Sequence, residues 1–123
     1  MLVPLQTTVG NPIAIAGTVG LFALFLSLTA HLAARNVLGD VAVRNAFAVG
    51  PLPAVIAVLS TAFGVSAAVA VPVALTLDAA AIRYLYDRSW RLTLYIVVIH
   101  VVVTIILGAI LFSLLALWQS APG

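Results

Sequence analysis

The sequence contains no cysteine, no lysine and no glutamate, and its only methionine is Met1. Without cysteine, the chain cannot form a disulfide bond, bind a metal ion or an iron–sulfur cluster through thiolates, or use a thiol as a nucleophile. These absences exclude whole classes of redox, metal-binding and covalent chemistry before any other feature is considered.

Charged side chains are also scarce. Five arginines and three aspartates make up 7% of the chain, and 65% of it is hydrophobic, whereas soluble domains average about 25% charged residues. So little polar surface predicts an all-α integral membrane protein with a single membrane domain over residues 1–123. The scattered arginines form no basic stripe, so we expect no nucleic-acid partner.

Four long apolar stretches are separated by short polar connections. A helix needs about 20 apolar residues to cross a hydrocarbon core of about 30 Å, and the stretches predict spans at residues 13–34, 46–63, 67–86 and 92–118. Asn11-Pro12 is typical of a helix start, and Gly64-Val65-Ser66 predicts a tight turn. The sequence therefore predicts a four-transmembrane-helix bundle with short loops.

The start of the second span has two interpretations, because Pro51 and Pro53 cannot donate backbone hydrogen bonds. The helix either begins near Ala46 and kinks at the prolines, or begins at Pro51 and is short. The residues before Gly50 are expected to cover the membrane interface as a short amphipathic turn.

The arginines predict the orientation of the chain. Four spans place all of them at one face, whereas a three-span alternative that merges residues 51–77 divides them between two faces; they are Arg35, Arg44, Arg83, Arg88 and Arg91. By the positive-inside rule, we expect a protein of the cytoplasmic membrane with both termini outside. We interpret these side chains as topology determinants, with lipid-headgroup binding as the alternative.

Each span has a face of small or polar residues, as expected where transmembrane helices touch. By span, these faces contain Gly17, Gly20, Ser27 and His31; Gly50, Pro53, Ala57, Ser60 and Gly64; Ala67, Ala70, Ala74, Asp78 and Ala81; and Thr93, His100, Thr104 and Gly108. We therefore expect a close-packed bundle, with Gly20 at a tight helix contact.

Asp78 is the only carboxylate deep within an apolar stretch, and ionisable groups in a membrane often mark functional sites. His100 is predicted at a similar depth and His31 at a shallower one, so we predict an intramembrane polar cluster of Asp78, His100, His31 and Arg83. One interpretation is a proton or cation relay that includes Ser27 and Thr104. The favoured interpretation is structural, with Asp78 binding Arg83, His100 or a hydroxyl and fixing the helix register.

No nucleophile elbow, phosphate loop, pair of carboxylates or metal-ligand spacing occurs in the sequence. We therefore expect neither an enzyme nor a resident metal ion or cofactor. One alternative remains open, in which His31 and His100 are axial ligands of a haem held between helices.

Several segments carry a family resemblance. They are Thr29–Arg44 (TAHLAARNVLGDVAVR), Ile82–Tyr86 (IRYLY), Arg91-Leu92 and Val98-Ile99-His100. They resemble a family of small, uncharacterised multi-pass membrane proteins from haloarchaea. The resemblance covers most of the chain and implies a location in the membrane, but no known chemistry.

Together these features predict a non-enzymatic membrane protein. We expect either a small transporter-like protein or an accessory subunit, in contact with the lipid bilayer and with copies of itself or a larger membrane partner. The alternative function is a haem-binding electron-transfer subunit that uses His31 and His100.

Overall fold

The computed structural model of the chain describes residues 11–121, and within this range it is helical and contains no strand. The helices are α1 (Pro12–Leu38), α2 (Val43–Val49), α3 (Pro51–Ala62), α4 (Ala67–Tyr86) and α5 (Trp90–Ser120). Four helical segments are long and apolar enough to cross a membrane: α1, α2 and α3 together (Val43–Ala62), α4, and α5. The predicted domain limits, 1 and 123, lie outside the described residues.

The helix starts follow the capping signals in the sequence. Asn11 caps α1, because its side-chain oxygen accepts a hydrogen bond of 2.9 Å from the Ile13 backbone nitrogen. Ser89 caps α5 in the same way, accepting from Leu92 at 3.3 Å. Ser66 precedes α4 without a side-chain cap. The side-chain caps at Asn11 and Ser89 each satisfy a backbone N–H that a helix start would leave without a partner.

Glycines with positive φ angles mark two of the connections. Gly39 ends α1 with φ 84°, and Gly64 turns the chain between α3 and α4 with φ 68°. This backbone conformation costs glycine less than other residues because it has no Cβ atom. The predicted turn at Gly64 is therefore present, while α1 continues past its predicted end at residue 34 as far as Leu38.

The second helical segment begins earlier than predicted, at Val43 and not at 46. Gly50 keeps a right-handed helical conformation, with φ −57° and ψ −40°, so the chain passes from α2 into α3 without a sharp turn. Pro51 is the first residue of α3, where a missing N–H is tolerated. Helix α2 buries Ala46 and Val49 in the core and exposes Val43 and Phe47, and its position at the membrane interface stays a prediction.

The helices form an antiparallel ring. Helix α1 packs against α3 and α5, and α4 also packs against both of these helices. We call the end with the α1–α2 and α4–α5 connections the arginine end, since all five arginines lie near it. The end with the α3–α4 turn at Gly64 is the far end.

The core lies in the half of the bundle nearer the arginine end. It is built from small residues of α1 and aliphatic side chains of α2, α4 and α5, namely Ala30, Ala33, Ala34, Ala46, Val49, Ile82, Tyr86, Ile96 and Val97. Every buried residue in the described range falls within residues 26–34, 46–54, 78–86 or 93–100. Ala54, just past the middle of the Val43–Ala62 segment, is the one of these residues that lies on the far side of the bundle's middle.

The tightest approach of two helices is between Gly50 and Ser27. A Cβ atom added to Gly50 would overlap the Oγ and backbone nitrogen of Ser27 and would lie 2.7 Å from its Cα atom. By contrast, a Cβ atom added to Gly17 or Gly20 would meet nothing within 4 Å. The prediction of a tight contact at Gly20 is thus wrong, because this face of α1 points away from the bundle.

We predict that Gly50→Ala destabilises the fold. Alanine favours a helix over glycine, but the added methyl group collides with the backbone of Ser27, which cannot rotate away. The expected loss is about 1–3 kcal/mol of unfolding free energy, as for other overpacked cores. Thermal unfolding in detergent checks this, with Gly20→Ala as the matched control. Equal stability of the two variants would contradict the contact.

Candidate functional site

The candidate site is centred on Asp78 of α4 and His100 of α5. The imidazole Nδ1 of His100 lies 2.8 Å from Oδ2 of Asp78, and the two residues form the only salt-bridge contact among residues 11–121. Asp78 is 3% exposed and His100 is 4% exposed. The structure therefore joins the two residues that were predicted to lie at a similar depth.

The second nitrogen of His100 extends the contact to α1. Its Nε2 lies 3.0 Å from Oγ1 of Thr29 and 3.2 Å from the Leu26 carbonyl oxygen. Thr29 donates to the same carbonyl, and Thr104 of α5 donates to Thr29, each at 3.0 Å. One hydrogen-bonded network thus connects three helices, and both nitrogens of His100 are engaged in it.

The donors and acceptors constrain where the protons lie. The Leu26 carbonyl oxygen can only accept, so we assign a hydrogen to Nε2 of His100 that points toward this oxygen and Thr29. Nδ1 lies within hydrogen-bond distance of Oδ2 of Asp78, so the imidazole connects the carboxylate of α4 to the backbone of α1.

The order of carboxylate, imidazole and hydroxyl is that of the hydrolase triad, in which the imidazole activates the hydroxyl as a nucleophile. Thr29 does not meet this requirement, because it is 0% exposed and its hydroxyl donates to a carbonyl of its own helix. A substrate carbonyl has no access to this oxygen. Thr29 is thus not placed as a nucleophile in this arrangement, and the network joins side chains of three helices.

His31, Arg83 and Ser27 were predicted near this site but are not part of the network. His31 is half-buried, and its Nδ1 has no hydrogen-bond partner among the described residues; the Arg83 Nε atom and the Ser27 hydroxyl are buried without partners as well. Asp78 therefore pairs with His100 and not with Arg83. Of the predicted cluster, only Asp78 and His100 are joined, together with the predicted neighbour Thr104.

Two of the five arginines contact aromatic rings, and none contacts a carboxylate within residues 11–121. The guanidinium carbon of Arg83 lies 5.4 Å from the centroid of the Trp90 ring, and that of Arg91 lies 6.0 Å from the Tyr95 ring. Arg91 Nε also donates to the Tyr95 hydroxyl at 3.3 Å. None of the five arginines forms a salt bridge within residues 11–121, so their charges are available to external anions.

The geometry does not fit a haem held by His31 and His100. An axial ligand needs a free ring nitrogen, and both nitrogens of His100 are already hydrogen-bonded. Residues 11–121 also contain no group of three or more His, Asp or Glu side chains that is suited to a metal ion. For His100 to bind a haem iron, one of its ring nitrogens would have to give up its hydrogen bonds.

Thr29 and the Leu26 carbonyl are the members of the site that sequence reasoning missed. The predicted face of α1 contained Gly17, Gly20, Ser27 and His31, and of these only Ser27 is buried. The other buried residues of α1 are Leu26, Thr29, Ala30, Ala33 and Ala34. The run of small residues at 30, 33 and 34 was the available signal, because small residues favour close helix contacts. Thr29 lies one turn before Ala33 on the buried face.

Comparison with known proteins gives one match. A model of a family of unknown function, DUF7473, matches residues 9–122. The chain belongs to this family. No curated protein and no solved structure matches it. Membership of the DUF7473 family agrees with the predicted resemblance to an uncharacterised family, and it assigns no activity to Asp78 or His100.

For this DUF7473 member, we predict that Asp78 and His100 are energetically coupled. Asp78→Leu leaves a buried imidazole without its partner and should cost about 3–5 kcal/mol of unfolding free energy. The double variant Asp78→Leu/His100→Leu should recover most of this loss, because both polar groups are then replaced by apolar ones.

Denaturant titration in detergent micelles measures the coupling, with Asp40→Leu at an exposed position as the control. If the effects of the two single substitutions simply add in the double variant, the pair does not stabilise the fold.

Proposed function

We propose that this protein is a non-enzymatic, multi-pass protein of the cytoplasmic membrane that serves as an accessory subunit. In this role, the half of the bundle nearer the arginine end (the arginine half) stabilises the fold of the single chain. The half nearer the far end (the far half) binds further transmembrane helices from a second copy or a larger partner. The observation that carries the proposal is the position of the core, since every buried residue in the described range except Ala54 lies in the half nearer the arginine end.

The far half of α1 supports this proposal. Gly17 and Gly20 are exposed there, with open space where a side chain would begin. Glycine is costly inside a helix, and in membranes it allows another helix to approach closely. Two exposed glycines one turn apart therefore favour a helix contact outside the chain.

Apolar grooves flank the same part of α1. One, of about 240 Å³, lies between α1 and α3, where Ile15 and Phe22 face Val58. The other, of about 550 Å³, lies between α1 and α5, where Phe25 faces Leu111. Side chains of a neighbouring helix would fill both grooves and gain dispersion contacts that the chain does not make by itself.

The accessory role is favoured over transport because the buried polar network ends at Thr104. The polar side chains nearer the far end, such as Thr18, Thr76 and Ser113, are exposed, and the first two donate to carbonyls of their own helices. A relay needs a continuous series of polar groups across the membrane. The Asp78–His100 pair is better suited to holding helices in register.

The orientation belongs to the same proposal. The arginines near one end of the bundle support a cytoplasmic location for that end, with both termini and the Gly64 turn outside. The lysine-free composition and the resemblance described above support a haloarchaeal source. Both are inferences from the sequence pattern.

We predict a specific labelling pattern for this orientation. The chain has no cysteine, so Ser66→Cys and Asn36→Cys each introduce a single thiol at an exposed position. Intact cells treated with a membrane-impermeant maleimide should label Ser66→Cys, whereas Asn36→Cys should react only after permeabilisation. The reverse pattern would overturn the orientation.

We also predict that Gly20→Leu prevents assembly without unfolding the chain. No atom of the chain lies within 4 Å of a Cβ atom at this position, so the fold should tolerate leucine, whereas a neighbouring helix would be displaced. Native mass spectrometry in mild detergent should show wild type above the mass of one chain and Gly20→Leu at the mass of one chain.

The control for this experiment is Ala48→Leu, at an exposed position in the arginine half. The mass of the wild-type assembly distinguishes a second copy from another protein. A wild type that is always a single chain, or proton flux in proteoliposomes that Asp78→Asn abolishes, would contradict the accessory role.

A further inference from the structure

A cavity beside the Asp78–His100 pair has the features of a ligand site. It has a volume of about 230 Å³ and is lined mainly by α4 and α5, with Leu26 of α1 and Pro53 of α3 closing its inner side, and it extends from the pair toward the far end. Asp78, His100 and Thr104 contribute to its wall, and the remaining wall is almost entirely apolar, as at Ala74 and Val101. It is thus an apolar space that borders the Asp78–His100 pair, whose polar atoms are almost entirely covered.

The cavity is only partly enclosed, because some of its wall residues are exposed. Val71 of α4 is 53% exposed and Ile105 of α5 is 64% exposed, and both contribute to its wall. In the proposed membrane setting, these side chains face lipid. A molecule dissolved in the bilayer could therefore enter between α4 and α5 without crossing to an aqueous face.

One hydrogen-bond acceptor of this pair has no partner. Oδ1 of Asp78 is buried without a hydrogen bond in the described part of the chain, whereas Oδ2 is bonded to His100 and Thr104 donates to Thr29. A buried acceptor without a donor costs free energy. The terminal torsion of a carboxylate is soft, so a modest rotation would present Oδ1 to a hydroxyl in the cavity.

We propose that this cavity binds a lipophilic molecule with a ring-shaped body and one hydroxyl group, of the alkylphenol type. An apolar cavity of about 150 Å³ accepts benzene, so the larger volume here accommodates a substituted ring. The hydroxyl donates to Oδ1 of Asp78, and the ring contacts Ala74 and Val101. Entry from the lipid side selects molecules that partition into a bilayer.

The test compares two probes of the same shape, 4-ethylphenol and 1-ethyl-4-methylbenzene, in which a methyl group replaces the hydroxyl. The chain has only two histidines, so protein labelled with ¹⁵N-histidine reports on both by NMR in detergent. His31, outside the network, is the internal control, and His31→Gln assigns the signals. We expect 4-ethylphenol to shift the His100 signals saturably and to bind about tenfold more tightly than the isostere.

Two variants locate the binding. Ala74→Leu fills the cavity and should abolish the shift, whereas Ala68→Leu, at an exposed position of the same helix, should leave it unchanged. Equal affinity for the two probes would overturn the proposal, as would shifts of both histidines or no saturable shift in wild type. If Ala74→Leu does not fold, the wild-type comparison decides alone. None of these results depends on whether the chain assembles with a partner.

Discussion

The fold depends on how one buried carboxylate is accommodated. Asp78 lies in an apolar interior, where an unpaired charge would cost several kcal/mol, and the hydrogen bond between His100 and its Oδ2 offsets part of that cost. Because His100 also reaches Thr29 and the Leu26 carbonyl, the rotation and height of α1, α4 and α5 are set together. Sliding any one of these helices by one residue would break the network.

Around this network, packing is uneven along the bundle. Near the arginine end, alanines of α1 and the absent side chain of Gly50 let backbones come close, and the aliphatic side chains of α4 and α5 fill the remaining space. Toward the far end, α1 and α5 present large side chains with grooves between them. Close packing at one end and open grooves at the other thus occur within one small chain. Such an arrangement suits the proposed role of a subunit whose partner completes its packing.

The number, order and approximate bounds of the apolar helices could be predicted from the sequence, because length and hydropathy determine them. The similar depth of Asp78 and His100 also followed from counting residues inward from their shared connection. Which face of α1 turns inward could not be predicted, since Gly17, Gly20, Thr29 and Ala33 are all small enough for a contact. The choice depends on the neighbouring helices, and in particular on whether Gly50 meets Ser27, which no local pattern in α1 specifies.

The pairing of Asp78 with His100 also has a consequence for biogenesis. Helix α4 carries the aspartate and has a mean hydropathy of 1.5, whereas α5 reaches 2.8. A lone aspartate at the centre of a helix disfavours insertion by about 2.5–3.5 kcal/mol, but the imidazole that forms a hydrogen bond with it lies in the next helix, 22 residues later. In a bilayer, α4 and α5 are therefore best inserted together as a helical hairpin. The strongly apolar α5 would then offset the lower hydropathy of α4 during insertion, and α1 would pack against both helices afterwards.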